Sequence, residues 1–394
     1  MNSMARIAIS GGGIGGLAAA IALRRAGFSA IEVHERAPEI REVGAALTLW
    51  SNALHALARL GLDAAVRAAG TEVAVGEFRE PSGKVLVSTP VAEVARELGA
   101  PCVCLHRADL QAILVRAAAG VALRLGSACA GVRAADSLEP RLLLEGGGEV
   151  AADVVVGADG LRSAVRASLF GPAPPRYAGY PCWRAIARFR DERHLPRGLA
   201  FETWGPGARF GAIGVGAERV YWFASVNEPE GGTDEGDPRR RLLDRFGPWH
   251  APIRALIEST PAESVQRLDI LDRPPARTWG RGRVTLLGDA AHPTTPNLGQ
   301  GACLAIEDAI VLADVLRGAS DPASGLREYE ARRRARTAAV VRRSRRLGAM
   351  GQLGSAVLCR VRNAAMRLSP KSAMRRAFAV NLEEGIASLG SVSS

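Results

Sequence analysis

The sequence is poor in the features that announce metal, disulfide or nucleophile chemistry. Six cysteines (Cys102, Cys104, Cys129, Cys182, Cys303 and Cys359) show no CxxC spacing and no His/Cys cluster. That argues against a metal site and for reduced thiols in a cytoplasmic protein. The six histidines are scattered and no GxSxG is present, so no protein nucleophile is evident. No apolar run reaches the ~18–20 residues of a transmembrane helix. No basic stretch precedes the first apolar segment, which Gly11 to Gly16 interrupts, so no secretory leader is expected. Aromatic residues are only 5% of the chain, and no internal repeat is visible.

Acidic charge is also missing from one place. Between Arg327 and Arg376 there are 15 Lys/Arg and 2 Asp/Glu, a net of +13. The rest of the chain has 36 basic and 38 acidic residues, a net of −2, which together give the overall +11. The excess therefore sits in one C-terminal segment. From Arg342 to Arg362 its arginines have no interleaved aromatics, which argues against nucleic-acid binding. Instead Leu347, Met350, Gly354, Val357, Leu358 and Val361 fall at helical spacing among Arg342, Arg343, Arg345, Arg346, Arg360 and Arg362. A basic amphipathic helix of this kind can touch an anionic membrane surface; subunit packing or solvation is the plainer use.

The 394 residues suit one large or two to three ordinary domains, and the 47% hydrophobic content suits a globular core. Ala5–Ser10 reads as a buried strand, followed at once by Gly11-Gly12-Gly13-Ile14-Gly15-Gly16 and a helix from Leu17 to Ala26. Gly27 stops it, Ala30–His34 is a second strand, and Glu35 ends that strand 24 positions after Gly11. This is a dinucleotide fingerprint in its required context. Gly11 makes the tight turn, Gly13 admits a pyrophosphate, and Gly16 lets helix pack on strand. A carboxylate at Glu35 suits ribose hydroxyls and disfavours a 2′-phosphate, so the bound nucleotide is expected to be FAD or NAD.

Gly44 to Gly61 reads as a small-residue turn and a helix, and Val73–Thr89 as strands around Pro81-Ser82-Gly83. Arg107 opens a helix, where it is placed to pair with a phosphate. Val121–Arg133 and Arg141–Val150 read as strands. Asp153–Val156 is a buried strand ending in Gly157-Ala158-Asp159-Gly160, a polar cluster where ligands collect in an open α/β sheet. Gly171–Pro175 breaks the pattern. From Tyr177 to about Leu271 come strands rich in aromatics, which read as an antiparallel sheet. Five of six tryptophans lie between Trp183 and Trp279, and they could wall a flat apolar pocket or fill a sheet core.

A third stretch completes the set. Val284–Leu287 is a buried strand ended by Gly288-Asp289, and His292–Asn297 is a proline-constrained loop. Gly299-Gln300-Gly301-Ala302 then opens a helix running through Leu316. Such a helix start aims unpaired N–H groups and a positive dipole end at its ligand. An acid beside it suits a ligand with hydroxyls and developing negative charge, as a reduced flavin has. His292 lies beside this motif, where a loop-structural role is expected. One or two long helices follow Gly318, and the tail from Glu383 is small and polar.

Three motifs in this order resemble the single-component FAD-dependent aromatic hydroxylases of the para-hydroxybenzoate hydroxylase fold. The resemblance is strongest to the branch of salicylate hydroxylases, urate hydroxylase and zeaxanthin epoxidase, and it covers roughly Ile7 to Leu316. It implies an α/β fold: a Rossmann-like, three-layer FAD-binding domain with an inserted antiparallel-sheet substrate domain and C-terminal helices. The implied boundaries are 1–74, 98–175 and 272–320 for FAD, 75–97 and 176–271 for substrate, and 321–394 for the basic helical segment. It further implies that Gly11, Gly13, Ile14, Gly15, Gly16, Glu35 and Arg36 hold the AMP half of non-covalent FAD. The Val132 backbone would approach the adenine and Arg107 the FAD linker. Asp159 would serve pyrophosphate and the transient NADPH or NADH, and Asp289 the ribityl chain. Gly299, Gly301 and Ala302 would face the flavin ring edge, and Ala46 and Pro296 are further cofactor-binding residues. By analogy with an Arg and a Tyr twelve positions later in urate hydroxylases, Arg209 and Tyr221 are catalytic candidates, with Arg184 a third. Tyr221 is expected to deprotonate or orient a substrate hydroxyl, and Arg209 to stabilise the resulting anion.

The implied activity is hydroxylation of a small aromatic or heteroaromatic molecule by dioxygen and NAD(P)H through a flavin hydroperoxide, in a monomer or homodimer. The alternatives are an epoxidase of a lipophilic polyene at a membrane surface, or a flavin reductase or oxidase without oxygen insertion.

Overall fold

The computed structural model describes residues 3–40, 45–216 and 218–390, so the turn expected from Gly44 begins outside them. Short β-branched runs buried on both faces form a parallel sheet. Its strand order is Val284–Leu286, Val154–Gly157, Ile7–Ser10, Ile31–His34, Ala122–Arg124. Ile7 lies opposite Val154 on one side and Ile31 on the other. Helix Ile14–Arg25 links the strands Ile7–Ser10 and Ile31–His34, and it packs against helix Gly301–Gly318. The stretch expected as a single strand from Val121 to Arg133 is two. Gly126, at φ +63°, turns the chain between Ala122–Arg124 and Cys129–Arg133. The latter joins Arg141–Leu144 and Glu149–Ala151 in a small antiparallel sheet.

A seven-stranded sheet stands apart from the parallel one. Its order is Gln266–Asp272, Arg176–Arg188, Arg219–Val226, Ala208–Gly214, Leu199–Gly205, Val75–Arg79, Val85–Thr89. It is antiparallel with one exception: Leu199–Gly205 pairs parallel with Val75–Arg79. Those two strands are far apart in the chain, so no hairpin forces them antiparallel.

Period-two alternation divides the sheet's faces. Trp183, Ala185, Phe210 and Trp222 turn into a core with Leu242, Phe246, Ile253 and Leu256. Cys182, Arg184, Arg209, Tyr221 and Phe223 occupy the alternate positions. Trp183 and Trp222 therefore fill the sheet core and do not wall a pocket. Trp204 packs with Leu86, Val87 and Met366, and Trp279 lies in the core of the parallel-sheet layer.

Among the described residues three helices, not one or two, follow Gly318: Pro322–Gly351, Ala356–Leu368 and Lys371–Ser388. The last runs to Ser388, into the tail expected from Glu383 to be merely small and polar. No helix among the described residues is long and apolar enough to cross a membrane. The 30-residue helix is fixed by a fully buried ionic cluster. Arg333 Nη2 donates to Glu307 Oε2 and Arg333 Nε to Asp308 Oδ1, both at 2.6 Å. Asp308 Oδ2 lies 2.6 Å from His292 Nε2 and accepts from Gly288 N at 3.1 Å. Glu307 Oε1 accepts from Asn52 Nδ2 at 2.5 Å. His292 thus has the structural role expected of it.

Burial alone would raise the Asp308 carboxyl, but His292 and Arg333 outweigh it and hold it down at about 2. Removing one partner strands charges that have lost their hydration, so Arg333→Ala is expected to cost about 3–5 kcal/mol in urea unfolding. The contribution of Asp308 is fully present above its unfolded value of about 3.9 and is lost as pH falls through about 2. The stability gap between wild type and Asp308→Asn, measured by thermal unfolding, should narrow across that window.

Candidate active site

The carboxyl ends of the parallel strands and the Arg184/Tyr221 face of the large sheet border one continuous cavity of about 1950 Å³. At one end lies the turn after strand Ile7–Ser10. A Cβ on Gly11 (φ +104°) would stand 2.4 Å from the Ala158 carbonyl oxygen, so that position admits only glycine. A Cβ on Gly16 would meet the Gly11 carbonyl oxygen at 1.9 Å, which is the close helix–strand packing the fingerprint requires. Gly13 instead faces open space. Glu35 closes the turn, its Oε2 accepting from Gly12 N at 2.7 Å and its Oε1 from Ala37 N at 2.9 Å.

Of the residues expected to hold FAD, Gly11, Gly13, Ile14, Gly15, Glu35, Arg36, Ala46, Arg107, Asp159, Asp289, Pro296, Gly299, Gly301 and Ala302 all line this cavity. Gly16 does not, because it serves the packing beneath. Val132 lies apart from this set. Its side chain is buried in the core, its N–H already donates to Ser168 Oγ at 3.1 Å, and it is not part of the cavity wall.

The groups present fit a flavin dinucleotide. Asp159 Oδ2 accepts from Ala164 N (2.7 Å) and Val165 N (3.2 Å), while its buried Oδ1 has no partner. Burial raises this carboxyl above its usual range. Asp289 opens to the cavity yet lies deep in the protein. Burial raises it too, against the pull of His292 and Arg107. Arg107 is lowered by burial and by Arg184. Helix Gly301–Gly318 starts without a side-chain cap, so its first N–H groups are free for a ligand. The left-handed Gly299 (φ +61°) precedes it, tucked under Trp50, whose Nε1 donates to Leu298 O at 3.1 Å.

The catalytic candidates meet at the sheet wall. Burial pushes the Tyr221 phenol far above its usual value, so the hydroxyl stays protonated. It has no hydrogen bond among the described residues. Arg184 forms no ion pair among them, and its buried Nε has no partner. Arg209 differs: Glu202 Oε1 accepts from its Nη1 at 3.1 Å, and its guanidinium lies 5.0 Å from the Tyr180 ring. Tyr180 Oη donates to Asn297 Oδ1 at 3.1 Å, tying the sheet to the loop before Gly299. Tyr180, Glu202 and Asn297 were missed in the sequence. Tyr180 and Cys182 share the parity of Arg184, the one signal that would have found Tyr180.

Residues 4–344 match the family model described as an FAD binding domain. The chain belongs to that family. It is similar to the aurachin C monooxygenase/isomerase of Stigmatella aurantiaca, 46% identical over 92% of this chain and 94% of that protein. It is similar to the 3-amino-4-hydroxybenzoate 2-monooxygenase of Streptomyces cremeus, 38% identical over 92% and 91%. Among solved structures, Klebsiella pneumoniae HpxO complexed with FAD and uric acid superposes with a TM-score of 0.89 at 30% identity, covering 96% of this chain and 97% of that one. As a member of the FAD binding domain family with these relatives, the chain is an FAD-dependent monooxygenase.

Gly299→Ala would place a Cβ 2.9 Å from Trp50 Nε1 in a left-handed backbone. The cost expected in thermal unfolding is about 1–2 kcal/mol, with weaker FAD retention on gel filtration.

Proposed function

We propose that the protein hydroxylates a small aromatic or heteroaromatic substrate, using dioxygen and NADPH or NADH, as a cytoplasmic monomer or homodimer that takes no nucleic acid. The observation that carries this reading is the single cavity joining the Gly11 turn to Tyr221 and Arg184. FAD, when bound, supplies electron transfer from the nicotinamide and oxygen activation. The chain divides into an FAD-binding unit (1–74, 98–175, 272–320), a substrate sheet (75–97, 176–271) and a basic helical segment from 321. Gly11 to Gly15, Glu35 and Arg36 hold the AMP half, Arg107 and Asp159 the pyrophosphate region, and Asp289 the ribityl hydroxyls. The amides at Gly301 and Ala302 favour negative charge at the ring edge.

Tyr221, protonated, donates to the substrate oxygen and so orients the ring. Proton removal by Tyr221 does not fit its raised pKa. Arg184 has no competing carboxylate among the described residues and offers positive charge to the substrate's developing anion. Arg209, held by Glu202, keeps Tyr180 and the Asn297 loop in place. Phe78, Phe223 and Ile213 exclude water from the reacting centre. The apolar wall contributed by Leu347, Met350, Met374 and Phe378 favours, as a second reading, oxygenation of a lipophilic substrate beside a membrane.

The test is NAD(P)H oxidation in air by the FAD-loaded protein with phenols, hydroxyquinolines, purines and polyenes, tracking peroxide and the mass gain of one oxygen. Stimulation by one ring class with that gain is expected; a gain seen only with polyenes would favour the second reading, and peroxide alone would sink both. Losing one hydrogen bond to a developing charge costs roughly tenfold to a hundredfold in rate. Tyr221→Phe should lower kcat/KM on that substrate by this factor and leave FAD content unchanged.

A further inference from the structure

Helix Ala356–Leu368 is built inside out. Val357, Leu358, Val361 and Leu368 are 63%, 52%, 62% and 83% exposed. With Ala364 and Ala365 they form one stripe along the helix. The polar Arg362 and Asn363 point inward. Arg362 donates to Met350 O at 3.0 Å and to Asn363 Oδ1, and its guanidinium lies 5.1 Å from the Trp204 ring. An exposed stripe of this kind is a contact surface without its contact.

Charge identifies the partner. From residue 331 to 382 the chain has 14 Lys/Arg and no Asp or Glu. Several of these cations are spent: Arg333 on Glu307 and Asp308, Arg343 on Glu384, Arg345 on Asp272, Arg367 on Glu80 and Arg375 on Glu97. Arg342, Arg346, Arg360 and Lys371 are exposed and form no ion pair among the described residues. Apolar side chains flanked by free cations suit an anionic lipid headgroup layer over a hydrocarbon interior. The helix also backs onto the cavity. Met366 on its inner side packs with Leu347 and Met374, and both of those residues line the cavity wall.

We propose that helix Ala356–Leu368 docks the enzyme on an anionic membrane surface, with Val357, Leu358, Val361 and Leu368 entering the headgroup boundary. Arg360 and Lys371 meet the lipid charge. This places the apolar wall of the cavity beside the lipid, and it deepens the second reading above while leaving the oxygenase chemistry independent of it.

The experiment is co-sedimentation of the full-length, FAD-loaded protein with phosphatidylcholine vesicles, with and without phosphatidylglycerol. Binding is expected only with the anionic lipid, and weaker at high salt. Val357→Ser/Leu358→Ser/Val361→Ser should lose roughly tenfold or more of the vesicle affinity. Arg360→Gln/Lys371→Gln should lose the preference for anionic lipid. These positions are exposed, so FAD absorbance and unfolding midpoint should match wild type, and NAD(P)H oxidation without vesicles should be unchanged. Failure to sediment, or equal sedimentation of the triple variant, overturns the proposal. So does a wild-type homodimer in light scattering that the triple variant lacks. A protein that sediments but transfers no oxygen would overturn the oxygenase reading alone.

Discussion

The buried pairing of Arg333 with Glu307 and Asp308 is the interaction on which the remaining architecture depends. Those two acids lie on the helix whose N-terminus faces the cavity, and Arg333 lies on the long helix behind it. Asp308 also holds His292 and the Gly288 amide, while Glu307 holds Asn52, which in turn donates to Gln300 at 2.9 Å. One guanidinium therefore fixes both ends of the loop between Gly288 and Gly301. Three charges without hydration are stable only as a complete set, so the loop has one favoured geometry. A flexible loop would point its amides in many directions, and the helix start would lose its preference for negative charge at one place.

The second constraint is strand parity. Shifting the register of Arg176–Arg188 against Arg219–Val226 by one residue would exchange Trp183 for Arg184 at the cavity. The tryptophans on the far face, packed against helices Pro238–Phe246 and Ile253–Glu258, make that slip costly. The apolar core of this sheet thus fixes which polar groups face the cavity. Tyr221 and Arg184 are available because Trp222 and Trp183 are committed elsewhere.

What was legible in the sequence follows the range of the forces involved. The glycine fingerprint with Glu35 and the Gly288/Gly299 motif were readable because each is a short local geometry with one workable residue type. Nearly all the residues assigned there border the cavity. Val132 stands apart from the cavity wall, its backbone N–H claimed by Ser168, a contact that depends on how helix Ala164–Phe170 packs. The aromatic-rich sheet was visible, but which face each tryptophan takes is decided by the helices covering it. Tyr180, Glu202 and Asn297 were invisible as a group because they join through contacts between three distant segments. The break between helices Pro322–Gly351 and Ala356–Leu368 falls at Leu353-Gly354-Ser355, where Ser355 Oγ caps the new helix by accepting from Leu358 N.

The basic C-terminal segment shows why charge counted along a chain is a weak guide to charge on a surface. Arg333 and Arg362 are buried, the first in an ionic cluster and the second against an indole and carbonyls. Arg345 reaches Asp272 on the edge strand of the seven-stranded sheet, and Arg343 clasps Glu384 on the last helix. These cations act as internal ties that hold three helices over the cavity. What remains for an outside partner is a smaller set around helix Ala356–Leu368, beside a helical face whose apolar residues point away from the core. A helix in water would gain by turning that face inward. It is prevented from doing so because Arg362 and Asn363 are already satisfied on the inner side, and exposing them would leave Trp204 and the Met350 carbonyl without their contacts. The outward stripe is therefore held in place by the polar side opposite it.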